Sequence, residues 1–274
     1  NPFKELDTIY TTKYINLINS LNKIKKKKIK NKYIYYYDKD WQYPVITEYQ
    51  SFKLFFNNDI IPCNYFAFPW ATLIDQYVKN KNTDLIECIG NFKINNHNEC
   101  FTICQHIRFR FLFPILKEIG ITHLFASHTS KYDYLYENKF NIKIIPFHLF
   151  PYNSINNYNL SNKKEIFKVS FNGSYNKKYY LQSRSYLNNQ NNKNIFINIK
   201  DNWHFEKIVY QEQINKIKLN DNEIKNNTNL ESNYLKLLEK SNFSLCPSGT
   251  GPNSIRLWES LSVGSIPIIL SDNL

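Results

Sequence analysis

The residues best suited to chemistry lie near the end of the sequence, in a polar loop that contains two glycines. Loop residues 247–253 separate an apolar stretch at 242–246, predicted to be a strand, from helical spacing at 254–263. Gly249 and Gly251 allow backbone to approach a ligand closely. The helix start brings free N–H groups and a positive dipole end to the carboxyl edge of a parallel sheet. The pattern therefore predicts a phosphate site.

Two charged side chains strengthen this prediction, because Arg256 lies in the first helical turn and Glu259 follows three residues later. A guanidinium group suits a diphosphate, and a carboxylate one turn further suits a ribose diol. The alternative is that the two side chains pair with each other on a solvated helix face. We expect Arg256 and the amides of residues 249–253 to offset the charge of a diphosphate. The residues expected at the site are Ser248, Gly249, Thr250, Gly251, Asn253, Ser254, Arg256 and Glu259.

This part of the sequence resembles the donor-site signature of exostosin-type glycosyltransferases. The resemblance lies in PSG at 247–249, SIRLWESL at 254–261 and GSIPIILS at 264–271. It extends upstream to a strand that enters a glycine loop at 167–173, with Arg184 after it, and to the two-histidine stretch 120–130. Residues 141–146 are similar to the segment that ends the family's first domain. Residues 1–100 contain no motif that we can place.

The resemblance implies an α/β fold of GT-B type, with two Rossmann-like, doubly wound domains facing across a cleft. It also implies a nucleotide-sugar in the C-terminal domain, where Gly173 and Arg184 join the donor residues, and inversion at the anomeric carbon without an essential metal. We expect an acceptor-side domain at residues 1–152 and a donor domain at 165–274, joined by the Asn-rich stretch 151–164. The absence of methionine and the strand just before the last residues lead us to expect that the sequence is cut at both ends and that the donor domain is incomplete.

An inverting transfer needs a base on the face opposite the leaving nucleotide, which places it in the first domain. His128 is our candidate because it follows a predicted strand at 122–126, at the loop edge where sites gather. We expect His123, inside that strand, to be packed or hydrogen-bonded. The competing candidates are His106, Asp133 and Glu137.

A metal-dependent alternative rests on Asp38 and Asp40. They follow the apolar run YIYYY, the layout of the metal-binding DxD of GT-A glycosyltransferases. An Asp-rich turn is the ordinary explanation of such a pair. We therefore expect no metal and no cofactor, with a nucleotide-sugar as the donor substrate and a glycan as the acceptor.

The charge of the chain is strongly positive, at +12, but nearly all of its cations are lysines. The excess of Lys, Asn, Ile and Tyr is typical of an AT-rich genome. The densest basic run, residues 23–32, is expected to end a helix at 7–30, solvated or resting on anionic lipid. It lacks interleaved aromatic residues, so we expect no nucleic-acid partner.

The five cysteines show neither zinc-ligand spacing nor an even count, which is typical of a reducing compartment. No apolar run reaches transmembrane length. We therefore expect a cytoplasmic protein or one at the cytoplasmic face of a membrane. A Golgi-type lumen is the alternative, because the expected cut at the N-terminus would have removed any signal sequence.

The sequence as a whole predicts an inverting glycosyltransferase of cell-surface polysaccharide or glycan synthesis. One alternative is an α-1,3-fucosyltransferase-like enzyme, whose motif has Glu-Asn-Ser and Thr-Glu-Lys where this chain has Pro-Ser-Gly and Ser-Ile-Arg. The other is a non-catalytic protein that binds a glycan or a membrane surface through the basic helix.

The alternation of apolar strands and helices predicts parallel, doubly wound sheets. The same patterns predict a strand at 85–89, a surface loop at 220–229 and a helix at 230–240. A helix at 177–187 is expected to carry Arg184, and a buried strand is expected at 265–270.

Overall fold

The structure is a computed structural model of the chain. It describes residues 23–94, 98–151, 166–175, 183–201, 209, 211–212, 215 and 217–271. The chain divides into two compact units: unit 1 comprises Asn1–Gln42 and Thr47–Phe147, and unit 2 comprises Tyr43–Ile46 and His148–Leu274. The expected helix before residue 23 and nearly all of the linker at 151–164 lie outside the described residues.

Unit 1 contains a six-stranded mixed sheet whose strand order follows the chain order. The strands are β1 (Lys25–Ile29), β2 (Lys32–Tyr36), β3 (Asn64–Ala67), β4 (Cys100–Cys104), β5 (His123–Ala126) and β6 (Lys143–Pro146). Strand β1 pairs antiparallel with β2, and the remaining pairs are parallel. The prediction of a doubly wound sheet is wrong for the described strands of this unit. Because β1 occupies one edge of β2, the later strands add only on the other side.

Both faces of this sheet are packed. The helices are α1 (Thr47–Asn58), α2 (Trp70–Asn80), α3 (Asp84–Ile89), α4 (Phe113–Ile119) and α5 (Tyr134–Phe140), with a 3-10 turn (Phe109–Leu112) before α4. Neighbouring residues of a strand point to opposite faces. Tyr65 therefore joins one core cluster with Phe52 of α1, and Phe66 joins the other with Trp70 of α2 and Phe113 of α4.

The lysine-rich run forms a β-hairpin, so the predicted helix is wrong over residues 23–30. Its strands alternate between two faces: Lys27 pairs with the fully buried Ile34, and Lys26 pairs with Tyr35. Lys30 makes the turn with a left-handed φ of 54°. The five consecutive backbone pairs hold this lysine run extended. Residues 23–30 therefore cannot contribute to a membrane contact in the form of a basic helix.

The predicted strand at 85–89 is also wrong, because these residues form helix α3. Leu85, Ile86, Cys88 and Ile89 are buried, a spacing that a helix places on one face. The Asn82 side chain accepts a hydrogen bond from the Asp84 backbone N–H at 2.7 Å and turns the chain into the helix. A short apolar run alone does not distinguish a helix from a strand.

Unit 2 contains a five-stranded mixed sheet in the order β11-β10-β7-β9-β8. Its strands are β7 (Phe167–Ser174), β8 (Gln190–Asn191), β9 (Ile195–Lys200), β10 (Ser241–Pro247) and β11 (Ile266–Leu270), and its helices are α6 (Asp221–Glu239) and α7 (Ile255–Ser262). The chain builds from β7 towards β9 and later adds β10 and β11 on the opposite side of β7. This reversal is the mark of a doubly wound sheet, and its switch point lies between β7 and β10.

Two further assignments in unit 2 are corrected. The Asn-rich stretch 220–229 forms the first half of α6 and is not a loop. The Asn220 side chain accepts from the Glu223 N–H at 2.9 Å, and the Glu223 carboxylate accepts from the Asn220 N–H at 3.2 Å. This capping box starts the helix. Strand β11 is an edge strand and only partly buried, with Ile266 57% exposed.

Among the helices that the structure describes, none has the length and apolar character that a membrane crossing requires.

Candidate functional site

The candidate site lies at the switch point of unit 2, where the carboxyl ends of β7 and β10 meet. These two strands pair in parallel, so Gly173 and Ser174 at the end of β7 lie beside the loop that follows β10. Doubly wound sheets bind ligands outside the carboxyl ends of their strands at this position. Helix α7 begins after the same loop, which brings Arg256 to the site.

Arg256 is the central cation of this site, and it is only 8% exposed. Its Nη2 donates to the Asn172 carbonyl at 2.6 Å, and its guanidinium carbon lies 4.3 Å from the centroid of the Phe171 ring. The Nε and Nη1 atoms have no hydrogen-bond partner among the described residues. An arginine stays charged even when buried, and its buried N–H groups require acceptors. The geometry therefore suits an anion.

Two glycines make room for two arginine side chains. A Cβ atom on Gly173 would lie 2.6 Å from Arg256 Nη2 and 3.0 Å from the Phe171 ring. A Cβ atom on Gly249 would lie 3.0 Å from Arg184 Nη2. Both glycines are thus explained by close approach of a guanidinium group rather than by an unusual backbone angle.

Arg184 ties the end of β7 to the loop after β10. Its Nε donates to the Ser248 carbonyl at 3.1 Å, and its Nη1 donates to the Ser174 carbonyl at 2.5 Å. It lies on a 3-10 turn (Ser183–Tyr186) where we predicted a longer helix, of which residues 177–182 lie outside the described part. Its guanidinium carbon is 5.8 Å from the Phe171 ring centroid, so both arginines contact the same aromatic ring.

The loop at 248–253 is held by its own hydrogen bonds. The Ser248 N–H donates to the Leu270 carbonyl at 3.1 Å, and the Gly249 N–H donates to the Gly251 carbonyl at 3.2 Å. The Gly249 amide is therefore engaged within the loop, and the expectation that it serves a ligand is not met in this geometry. Asn253 is buried and accepts from the Trp258 indole N–H at 3.0 Å.

The other predicted donor residues differ in placement. Thr250 is exposed, whereas Ser254 stands in extended conformation directly before α7 without a side-chain capping bond. Glu259 is 4% exposed and accepts a hydrogen bond from the Tyr234 hydroxyl at 2.8 Å. Burial, with the Glu259 charge as the second cause, raises the pKa of Tyr234. Because Arg256 and Glu259 are both buried, the alternative of a solvated helix face is wrong.

His128, the predicted base, lies in unit 1 just after β5 and is 7% exposed. Burial is the main cause that lowers the pKa of His128 to about 3, with smaller effects of His106 and Arg110. The ring is therefore neutral at physiological pH. Its Nδ1 has no hydrogen-bond partner within the described ranges.

The competing candidates for the base have structural partners. His106 accepts from the Arg108 backbone N–H through Nδ1 at 3.0 Å, and its Nε2 lies 3.2 Å from Asp75 Oδ1. Asp133 accepts from Arg110 Nε at 2.6 Å.

Glu137 accepts from the Ile144 backbone N–H at 2.6 Å. His123 Nδ1 lies 2.9 Å from the Thr122 hydroxyl oxygen, which agrees with its expected hydrogen-bonded state. Among the described residues of unit 1, His128 thus combines deep burial with an unpartnered nitrogen, a combination that neither His123 nor any of the three competing candidates shows.

The sequence prediction missed Glu48, a buried carboxyl group in the first turn of α1. It is 2% exposed and accepts backbone N–H groups from Gln105 at 3.1 Å and from Ala71 at 3.2 Å. Burial raises the pKa of Glu48 to about 8, against an ordinary value of 4.5. In the sequence Glu48 looks like any glutamate at a helix start, so only its tertiary contacts identify it.

The Asp38 and Asp40 pair has protein partners. Asp38 forms an ion pair with Lys25 at 2.9 Å, and the Tyr37 hydroxyl donates to Asp40 at 3.1 Å. The hydrogen bond with Lys25 is the main cause that lowers the pKa of Asp38. Over the part of the chain that the structure describes, His, Cys, Asp and Glu side chains form no group of three or more that could hold a metal ion.

Comparison with known families decides the relationship. The profile of the exostosin GT47 domain matches residues 116–274, which is more than half of the chain. The chain belongs to the exostosin GT47 family. The match covers all of the switch-point residues in this exostosin chain, and it agrees with the exostosin signature rather than with the fucosyltransferase-like alternative. The family is one of glycosyltransferases, which in general use a nucleotide-sugar donor and a glycan acceptor. No curated protein matches the exostosin chain.

Proposed function

We propose that this chain is an inverting glycosyltransferase that moves a sugar from a nucleotide diphosphate-sugar to a glycan, in the synthesis of cell-surface polysaccharide or another glycan. One observation carries the proposal: at the switch point, the buried Arg256 has two nitrogen atoms, Nε and Nη1, whose N–H groups find no acceptor among the described residues. A diphosphate supplies the acceptor oxygens that these groups lack.

The proposed role of Arg256 is to stabilise the leaving group. When the bond between the anomeric carbon and the diphosphate oxygen breaks, negative charge grows on the diphosphate. Arg256 is held in place by the Asn172 carbonyl and by the Phe171 ring, so it needs no reorganisation at that moment. Loss of one such preorganised donor costs roughly a hundredfold to a thousandfold in kcat in other enzymes. Arg184, through its bonds to Ser174 and Ser248, positions the loop around the same charge.

The proposed base is His128. In its neutral form the ring accepts the proton of the acceptor hydroxyl as that oxygen attacks the anomeric carbon. The low pKa of about 3 makes it a weak base that stays unprotonated across the physiological range. The rate should therefore show no fall near pH 6.5, where an ordinary histidine becomes protonated.

The proposal includes no metal. The positive charge that offsets the leaving diphosphate comes from Arg256, aided by the start of α7. We also propose a reducing compartment, either the cytoplasm or the cytoplasmic face of a membrane, because every described cysteine is a free thiol.

The experiment that tests the proposal is a thermal shift screen with UDP, GDP, CMP and their sugars. We expect one nucleotide diphosphate to raise the Tm, since a ligand that binds only the folded state stabilises it. Arg256→Ala should abolish this shift and most of the turnover. Lys168→Gln, which removes an exposed positive charge from the first half of β7, is the matched control and should preserve both.

A protein that responds to no nucleotide would contradict the proposal and favour the alternative of a non-catalytic glycan-binding protein. Near-normal turnover in Arg256→Ala would refute the assignment of the switch point as the site of the leaving diphosphate. Circular dichroism of each variant establishes that it is folded before either result is interpreted.

A further inference from the structure

The lysine-rich hairpin of unit 1 separates its charges onto two faces. On one face Lys25 pairs with Asp38 at 2.9 Å and Lys27 pairs with Asp59 at 2.6 Å. Lys26 points to the other face, where it has no acidic partner among the described residues. The positive charge of the hairpin is thus neutralised on one side and retained on the other.

On the retained side lies a cavity of about 460 Å³, which is within the size range of small-molecule sites. Tyr33, Tyr35 and Phe92 line it together with Lys26, Lys93 and Asn98. The Tyr33 and Tyr35 rings are stacked, with centroids 5.8 Å apart, and Phe92 meets Tyr35 edge-on at 5.1 Å. The cavity therefore combines aromatic faces, two cations and one amide.

The two lysines differ in their surroundings. The Lys26 ammonium lies 5.9 Å from the centroid of the Tyr33 ring. Lys93 forms an ion pair with Glu118 at 3.0 Å, but the two side chains are 68% and 71% exposed. Because exposed pairs of this kind contribute little, an anionic ligand can replace Glu118 as the partner of Lys93.

We propose that this cavity binds an acidic sugar unit of a glycan, separately from the nucleotide site of unit 2. The inference rests on the proposed function, since a glycosyltransferase must hold its acceptor chain. The C–H faces of a sugar ring carry partial positive charge and pack against the negative faces of Tyr33 and Tyr35. A carboxylate or sulfate group pairs with Lys26 and Lys93, and the Asn98 amide hydrogen-bonds with a hydroxyl.

An acidic glycan fits this surface better than a nucleic acid. Single-stranded nucleic acids bind along a continuous cationic groove with successive aromatic platforms. Here Lys25 and Lys27 already have carboxylate partners, so two of the four lysines of β1 are neutralised. The bounded cavity instead suits one or two sugar units.

The experiment is calorimetric titration of the full chain with two acidic glycans: oligogalacturonate, which carries only carboxylates, and a sulfated dextran oligosaccharide. A neutral maltooligosaccharide of equal length and an oligothymidylate of equal charge are the comparison ligands. Lys26→Gln should weaken binding of the acidic glycan roughly threefold to fivefold. Lys25→Gln, the adjacent lysine on the neutralised face, is the matched control and should stay within twofold of the wild type. Tyr33→Ala, with circular dichroism to verify folding, should weaken it as well.

Binding of either acidic glycan with this pattern of variants supports the proposal. The glycan that binds more tightly shows whether the site prefers a carboxylate or a sulfate group. The proposal would be overturned if Lys25→Gln and Lys26→Gln weakened binding equally, or if the neutral chain bound as tightly as the acidic glycan. It would also be overturned if oligothymidylate bound more tightly through Lys26, or if no glycan bound at all. The nucleotide-dependent Tm shift, measured on the same proteins, should be unchanged in Lys26→Gln. If that shift is absent in the wild type while the acidic glycan binds, the proposed function fails and the glycan site stands.

Discussion

Replacement of Glu48 by glutamine should make unit 1 more stable at alkaline pH. The folded protein holds Glu48 protonated up to a pKa of about 8, whereas the unfolded chain releases that proton near 4.5. Between these two values the folded state binds the extra proton, so the free energy of unfolding falls as pH rises. In Glu48→Gln the side-chain oxygen can still accept from Gln105 and Ala71, and the titration is gone.

The size of the effect follows from the two pKa values. Each pH unit inside the window is worth about 1.4 kcal/mol, reduced near the upper end as the folded carboxyl begins to ionise. From pH 6 to pH 8 the wild type should therefore lose about 2 kcal/mol relative to Glu48→Gln. His128 acts with the opposite sign, because its lowered pKa of about 3 makes stability rise with pH up to 6.5. The comparison removes this effect, since both proteins keep His128.

The assay is urea unfolding at pH 6, 7 and 8, followed by circular dichroism. Glu99→Gln, which neutralises an exposed carboxylate of the same unit, is the control and should track the wild type at every pH. A difference between wild type and Glu48→Gln that stays constant from pH 6 to pH 8 would refute the argument, because Glu48 would then have the same charge in both states.

Three further predictions concern the two units separately. Gly173→Ala should lower both kcat and donor affinity, because the added Cβ would lie 2.6 Å from Arg256 Nη2 and displace the guanidinium group. Steady-state kinetics measures both quantities, and normal kinetics would show that this close approach is unimportant. Transfer should survive EDTA, and Asp40→Asn should transfer sugar normally; loss of activity in both tests would indicate a metal-dependent site. Tyr234→Phe should lower stability by about 1–3 kcal/mol, measured by thermal unfolding, because the buried Glu259 carboxylate loses a hydrogen bond; an unchanged Tm would mean that water replaces it.

Sequence reasoning placed several of the candidate residues at one sheet edge for a local reason. Gly173 lies at the carboxyl end of β7, Gly249 and Arg256 follow β10 along the chain, and parallel strands end at a common edge of the sheet. The structure places them together and adds Arg184 as a bridge between two strand ends. The contact of both guanidinium groups with Phe171 could not be predicted, because it depends on side-chain directions across the sheet.

Two of the errors have a common physical origin. The run at 25–29 and the run at 85–89 are too short for their periodicity to decide between helix and strand, so pairing and packing with distant residues decide. Lys25–Ile29 is extended because it pairs with β2, and α3 is helical because its apolar face packs into the core on one face of the sheet. Glu48 was missed for the same reason, because its partners Ala71 and Gln105 lie 23 and 57 positions away.

The central claim is that Arg256 binds the diphosphate of the donor, and calorimetry tests it most directly. The ligands are the nucleoside diphosphate that gives the largest Tm shift and its parent nucleoside, titrated into wild type, Arg256→Gln and Lys168→Gln. In the wild type the diphosphate should bind far more tightly than the nucleoside. A charged hydrogen bond in a buried site is worth about 1.5–3 kcal/mol, so Arg256→Gln should reduce that preference roughly tenfold to a hundredfold while nucleoside affinity stays constant. A preference for the diphosphate that is equal in Arg256→Gln and in Lys168→Gln would contradict the claim.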